Sequence, residues 1–208
     1  MDWSFRENWD EYAWSREIRK DELRIAGYFR ALKTCLDLPG EDEMIFKNLM
    51  NQPEMVPTGV SDPHRMLKSE LEQFEDNAEW EEERRENRRH NPFEASRRVE
   101  NLAREWNLLA ASSNTDEAFA AGLCVSCSLG KLLSRIYNFE ETDDAEDCLS
   151  LRIGLLKRML ADLNEAVDVL SRSRNSVNIT PEQFDDFLKT IAFVRESIID
   201  KLNLLRNK

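Results

Sequence analysis

Four cysteines and two histidines are the residues of this 208-residue chain best suited to nucleophilic, redox or metal chemistry. Their spacing narrows what they can do. Cys124 and Cys127 lie three apart in an apolar segment whose periodicity predicts one long helix. A redox pair wants its first thiol at a helix N-terminus, where the dipole lowers the thiol pKa; here it stands about ten residues inside. A zinc site would need two further ligands, and only Cys35, Cys148, His64 and His90 could add Cys or His. A di-iron bundle needs Glu-x-x-His, but Ser61 and Asn87 stand three residues before the two histidines. The acidic run Glu140–Asp147 lacks the alternating oxygen ligands and the glycine of a calcium loop. Gly-rich phosphate loops and G-x-S-x-G are absent. The expectation is no metal, no cofactor, and cysteines that are buried thiols in a reducing cytoplasm.

Two local resemblances bear on catalysis. Some all-helical peroxidase-type reductases carry CxxC within a helix with a His four residues further on; Lys131 holds that position here. The segment Arg85-Glu86-Asn87-Arg88-Arg89-His90 resembles, over six residues, the spacing used by HEPN-type helical ribonucleases. That resemblance implies acid–base work for His90 and phosphate support from Arg85. Glu86 stands where that family usually has a small polar residue, and Asn91-Pro92 ends the helix at once. The alternative function is therefore a helical ribonuclease using Arg85 and His90.

The main expectation is a non-enzymatic helical interaction protein, a regulatory or accessory subunit of a larger assembly. Two clusters suggest where a partner would sit. Trp3, Phe5, Trp9, Tyr12 and Trp14 crowd the N-terminus, with Phe5, Trp9 and Tyr12 on one helical face by spacing. Trp and Tyr are favoured interface anchors. Arg84, Arg88, Arg89, Arg97 and Arg98 form a basic patch that offers a site for a polyanion or nucleic acid, although another protein is the leading partner. The whole chain carries 29 basic against 41 acidic residues, a net charge of −12, which disfavours general phosphate binding through counterion release. The same charge raises a weaker idea, an acidic decoy of a nucleic-acid-binding site.

Those residues must be held by helices. Six Gly and six Pro are too few for a loop-rich β-fold, and period 3.6 recurs almost throughout. A first helix is predicted over about 8–37, with Ile18, Ile25, Phe29, Leu32 and Leu36 as its stripe, then a short one over 41–51. Asp62-Pro63 opens another carrying Leu67, Leu71, Phe74 and Ala78. Capping boxes are expected from Asn91 with Glu94, from Asn114 with Glu117, and from Thr180 with Gln183. No proline stands between Pro92 and Pro181, which permits two helices of roughly 25 residues. Ala118, Gly122, Ser126, Gly130 and Ser134 recur every fourth residue, a small-residue ridge suited to close helix packing or to a homodimer seam. The fold class is all-α, an antiparallel bundle of six to seven helices with the long ones C-terminal. Residues 1–60 are expected as an aromatic-rich helical segment and 61–208 as the bundle, with one continuous domain as the variant. The longest charge-free stretch, 118–130, is short of the roughly 20 apolar residues of a spanning helix, so no membrane crossing is expected.

Overall fold

A computed structural model describes residues 9–35, 39–58, 78–90, 92–112 and 114–207. Among them are seven α-helices and no strand. They are α1 Glu11–Cys35, α2 Glu41–Met50, α3 Ala78–His90, α4 Glu94–Ala111, α5 Asp116–Glu141, α6 Leu149–Ser173 and α7 Pro181–Arg206. The all-α fold with long C-terminal helices is the one its periodicity predicts. The chain forms two compact units, and the boundary falls inside α3, between Glu83 and Arg84.

In the first unit, α1 and α2 form a hairpin around Ile45, Leu49, Met50 and Met55, with Tyr28, Ala31, Leu32 and Phe46 packed against them. Gly27 sets their separation, because a Cβ there would lie 2.7 Å from Leu49 Cδ2. The segment after α2 is tied back to α1 by polar groups. Lys20 Nζ donates to Thr58 Oγ1 at 2.8 Å, and Arg24 Nε donates to the Met55 carbonyl at 2.6 Å. Buried Glu17 accepts from Arg24 at 2.6 Å and from the Thr58 amide at 3.2 Å. Burial alone would raise the Glu17 pKa, but these hydrogen bonds from Arg24 and Thr58 hold it below its usual value. Since α1 turns Arg24, Gly27 and Tyr28 inward, the predicted stripe is corrected: Ile25 and Phe29 are exposed, Ile18 is buried. Leu36, and the helix expected after Asp62, lie outside the described residues.

The second unit is a four-helix bundle. Each long helix packs antiparallel on the next, and α7 returns onto α4 to close the cycle. Thr180 begins α7 as its spacing predicts, with Gln183 N donating to Thr180 Oγ1 at 3.2 Å and Thr180 N to Gln183 Oε1 at 3.0 Å. Two other caps differ from expectation. Thr115, not Asn114, caps α5 by accepting from the Ala118 amide at 3.1 Å. Phe93 is the N-cap of α4, and its side chain makes no capping hydrogen bond. The acceptor comes from another helix: Glu140 Oε1 takes the Phe93 amide at 2.8 Å and Ser96 Oγ at 2.5 Å. Glu140 and Glu141 thus end α5 and do not belong to a solvated acidic cluster preceding α6.

Trp106 sits at the centre, 1% exposed, donating from Nε1 to the Gly122 carbonyl at 2.9 Å with its ring edge-on to Phe187. An apolar void of about 10 Å³ lies beside it between Leu102, Val125, Leu129 and Leu170, at the lower limit of what one water needs, and with no polar atoms to hold one. The α4–α5 crossing is tight at Gly122, where a Cβ would stand 2.6 Å from Ala110 Cβ. Gly122→Leu should therefore overpack the crossing and cost about 1–3 kcal/mol or more. An unchanged chemical-denaturation midpoint would contradict that packing.

The small-residue ridge packs along only part of its length. A strict four-residue repeat advances about 40° per step around a helix, so five members sweep through roughly 160°. Ala118 and Gly122 are buried, whereas Gly130 and Ser134 have rotated into solvent. Among the described residues nothing lies within 4 Å of a Cβ placed on Gly130.

Candidate interaction surface

The fold scatters the basic patch. On α3, Arg84 and Arg88 both bond the Glu141 carboxylate, and Asn87 Nδ2 donates to the Glu141 carbonyl at 3.2 Å. Arg88 also lies 5.0 Å from the Tyr137 ring centroid. Arg98 lies flat on Phe193 of α7, 3.7 Å from its centroid. Arg89 and Arg97 stay exposed. Three of the five arginines thus secure the bundle's own helices. Arg85 and His90 are exposed on α3, five residues and about 140° apart around the helix, so they do not share a face. His90 Nδ1 lies 2.8 Å from the Glu86 carbonyl, one turn back on its own helix.

The aromatic cluster is also rearranged. Asp10 is the cap of α1, accepting at Oδ1 from the amides of Tyr12 at 3.1 Å and Ala13 at 2.7 Å. Trp9 therefore precedes the helix and cannot share a helical face with Tyr12. It packs edge-on against Trp14, centroids 5.0 Å apart, the N′-to-N4 contact of a hydrophobic staple. Tyr12 points outward, 61% exposed. Trp3 and Phe5 lie outside the described residues.

The thiols correct another expectation. Cys124 and Cys127 are exposed and Cys148 is half-buried; the Cys35 side chain lies outside the described residues. The inward face of α5 is taken by Ala118, Gly122, Val125, Leu129 and Leu132, which turns positions 124 and 127 out. Burial, followed by the charges of Asp147 and Asp143, pushes the Cys148 thiol up, making it a poor nucleophile near neutral pH. Among the described residues, no group of three His, Cys, Asp or Glu converges as metal ligands.

Polar chemistry inside the bundle serves to hold helices. Asp162 on α6 is 1% exposed, with Lys131 Nζ at 3.3 Å, Arg135 Nε at 3.5 Å and Arg158 Nε at 3.6 Å. Burial pushes its carboxyl above the usual value against the pull of Lys131, Arg158 and Arg135. Lys131 also reaches Glu165 at 2.9 Å. Tyr137 donates to Glu100 at 2.6 Å, and that bond, with burial, pushes its phenol up to about 12. Arg152, 1% exposed, stacks on Phe139 at 4.7 Å and bonds Asp144.

What remains for a partner is apolar surface. By length and composition alone α5 is long and apolar enough to cross a membrane, and in the fold it is a bundle helix, packed on α4 and α6. Only 33% of its most apolar stretch is buried. Phe119 and Leu123, 48% and 45% exposed, head an outer stripe that continues through Cys127, Gly130 and Ser134. Ala120 and Cys124 border it, and no charged residue lies between Glu117 and Lys131. Spacing of four, four, three and four residues keeps this stripe on one side of the helix. The strict every-fourth pattern had masked it. Gly130 lies within it, and a glycine inside a helix costs about 1 kcal/mol relative to alanine. Packing among the described residues gives no reason for it.

Comparison with known proteins finds no matching family model, no matching curated protein and no matching solved structure.

Proposed function

We propose that this chain is a non-enzymatic helical interaction protein, an accessory subunit whose work is to hold another polypeptide. One observation carries the reading: large apolar side chains stand exposed on well-formed helices of an otherwise highly charged chain. They are Phe119 and Leu123 on α5 and Ile25 and Phe29 on α1. Contiguous exposed apolar surface on a soluble domain marks an interaction site more often than chance exposure does. The bundle behind α5 is a closed cycle of four packed helices, so its face is presented ready-made, with little ordering cost on binding. A cytoplasmic setting belongs to the same proposal, since there two exposed thiols stay reduced.

The test is affinity capture of the full-length chain from its source cells, followed by mass spectrometry. Wild type should retain a defined protein in stoichiometric amount, and Leu123→Glu or Phe29→Glu should release it with helical content unchanged. Retention that ignores both substitutions would sink the reading. RNA cleavage that His90→Ala abolishes would replace it with the ribonuclease.

A further inference from the structure

We infer that the occupant of the α5 face is a second copy of this chain, packed antiparallel across a two-fold axis beside Cys124. This rests on the interaction reading above and names its partner at one site. The stripe is divided in size. Its N-terminal half is bulky, Phe119 and Leu123, and its C-terminal half is small, Cys127, Gly130 and Ser134. Antiparallel pairing lays each bulky half on the other copy's small half. Phe119 then meets Gly130, and Leu123 meets Cys127, twice over by symmetry. Parallel pairing would stack Phe119 on Phe119 and leave two glycines facing an empty gap.

Gly130 fits this arrangement independently. Among the described residues nothing lies within 4 Å of a Cβ placed there, so the partner's Phe119 ring would meet open space with no side chain in its way. Charge points the same way. Two copies of net charge −12 repel, and the stretch from Ala118 to Gly130 is the longest of the sequence without a charge. At its ends Asp116 and Glu117 of one copy come within one turn of the other's Lys131, which bonds Asp162 and Glu165 of its own chain and keeps its side chain 32% exposed. An isologous two-fold contact of this kind is the commonest route to a closed oligomer.

Sedimentation of the full-length protein at tens of micromolar, in reducing buffer, tests this. Wild type should sediment as a dimer. Gly130→Leu should weaken association at least tenfold while keeping or raising the unfolding midpoint, because leucine fills only the space the partner's ring would take and improves helix propensity. A chain with Cys124 as its sole cysteine (Cys35→Ser, Cys127→Ser, Cys148→Ser) should cross-link to a dimer with a short bis-maleimide. One with only Cys148 should not. A monomeric wild type, or a Gly130→Leu protein as dimeric as wild type, overturns the proposal. If a monomeric wild type captures a different protein through Leu123, the interaction reading survives and the two-fold contact does not. Flotation of that monomer with phospholipid vesicles, lost in Leu123→Glu, would assign the face to a lipid surface and overturn it as well.

Discussion

Replacing Trp106 by alanine should cost the bundle about 3–5 kcal/mol, the range for a fully buried large aromatic. The ring is 1% exposed and bridges three helices: it stands on α4, donates to the Gly122 carbonyl of α5 and meets Phe187 of α7. Its removal would enlarge the void already present beside it, and a cavity of that position, ringed by α-helical backbone, has little freedom to collapse. It would also remove the Nε1 bond to the Gly122 carbonyl, which keeps Ser126 Oγ as a donor at 3.2 Å. Hydrogen exchange of amides in α4 and α7 reads the loss within this unit. Protection reduced by less than about 1 kcal/mol would mean that the core is not organised around Trp106.

Glu140→Ala should be almost as damaging, at roughly 3 kcal/mol, although it deletes a surface-prone residue type. Two buried donors, the Phe93 amide and the Ser96 hydroxyl, would lose a charged acceptor at the positive end of α4. A bond to a charged group contributes about 1.5–3 kcal/mol, and the Phe93 amide left unpaired adds its own dehydration penalty, whereas Ser96 Oγ can turn to the Phe93 carbonyl at 2.8 Å. Glu140→Gln keeps an oxygen in place and should recover most of the loss. The adjacent Glu141→Ala supplies the contrast. Its partners Arg84 and Arg88 are 36% and 46% exposed and can return to water, so about 1 kcal/mol or less is expected. Equal losses at 140 and 141, measured by thermal unfolding, would refute the capping role.

The fold was legible because its signals are local. Thr180, Pro181 and Gln183 specify a helix start through bonds within four residues, and the structure reproduces them. The start of α4 was not legible for the opposite reason. Its cap comes from Glu140, 47 positions from Phe93, and no local pattern encodes an acceptor lent by another helix. The same holds for the arginines. A run of basic residues reads as a patch in sequence, but Glu141, Tyr137 and Phe193 that draw them apart become neighbours only when the bundle closes. At the N-terminus the error was one of register: placing the helix start two or three residues early put Trp9 on a face with Tyr12. The Asp10 cap moves it off that face and onto Trp14. On α5, two interleaved patterns share Gly130 and Ser134, and only burial shows which of them faces out.

The return of α7 onto α4 has a consequence for the order of the chain. With four antiparallel helices, the start of α4 and the end of α7 arrive at the same end of adjacent rods; the Arg98–Phe193 and Trp106–Phe187 contacts run in that antiparallel sense. The bundle is therefore cyclic in its packing while linear in its covalent connection, and every helix has equivalent neighbours on both sides. Three of its four seams join consecutive helices through short turns and can zip locally. The fourth alone must bring distant sequence together, so its closure is the slow, cooperative event of assembly. A circularly permuted chain, with Arg206 joined through a linker to Phe93 and new ends between α4 and α5, would keep all four seams and merely exchange which one closes last.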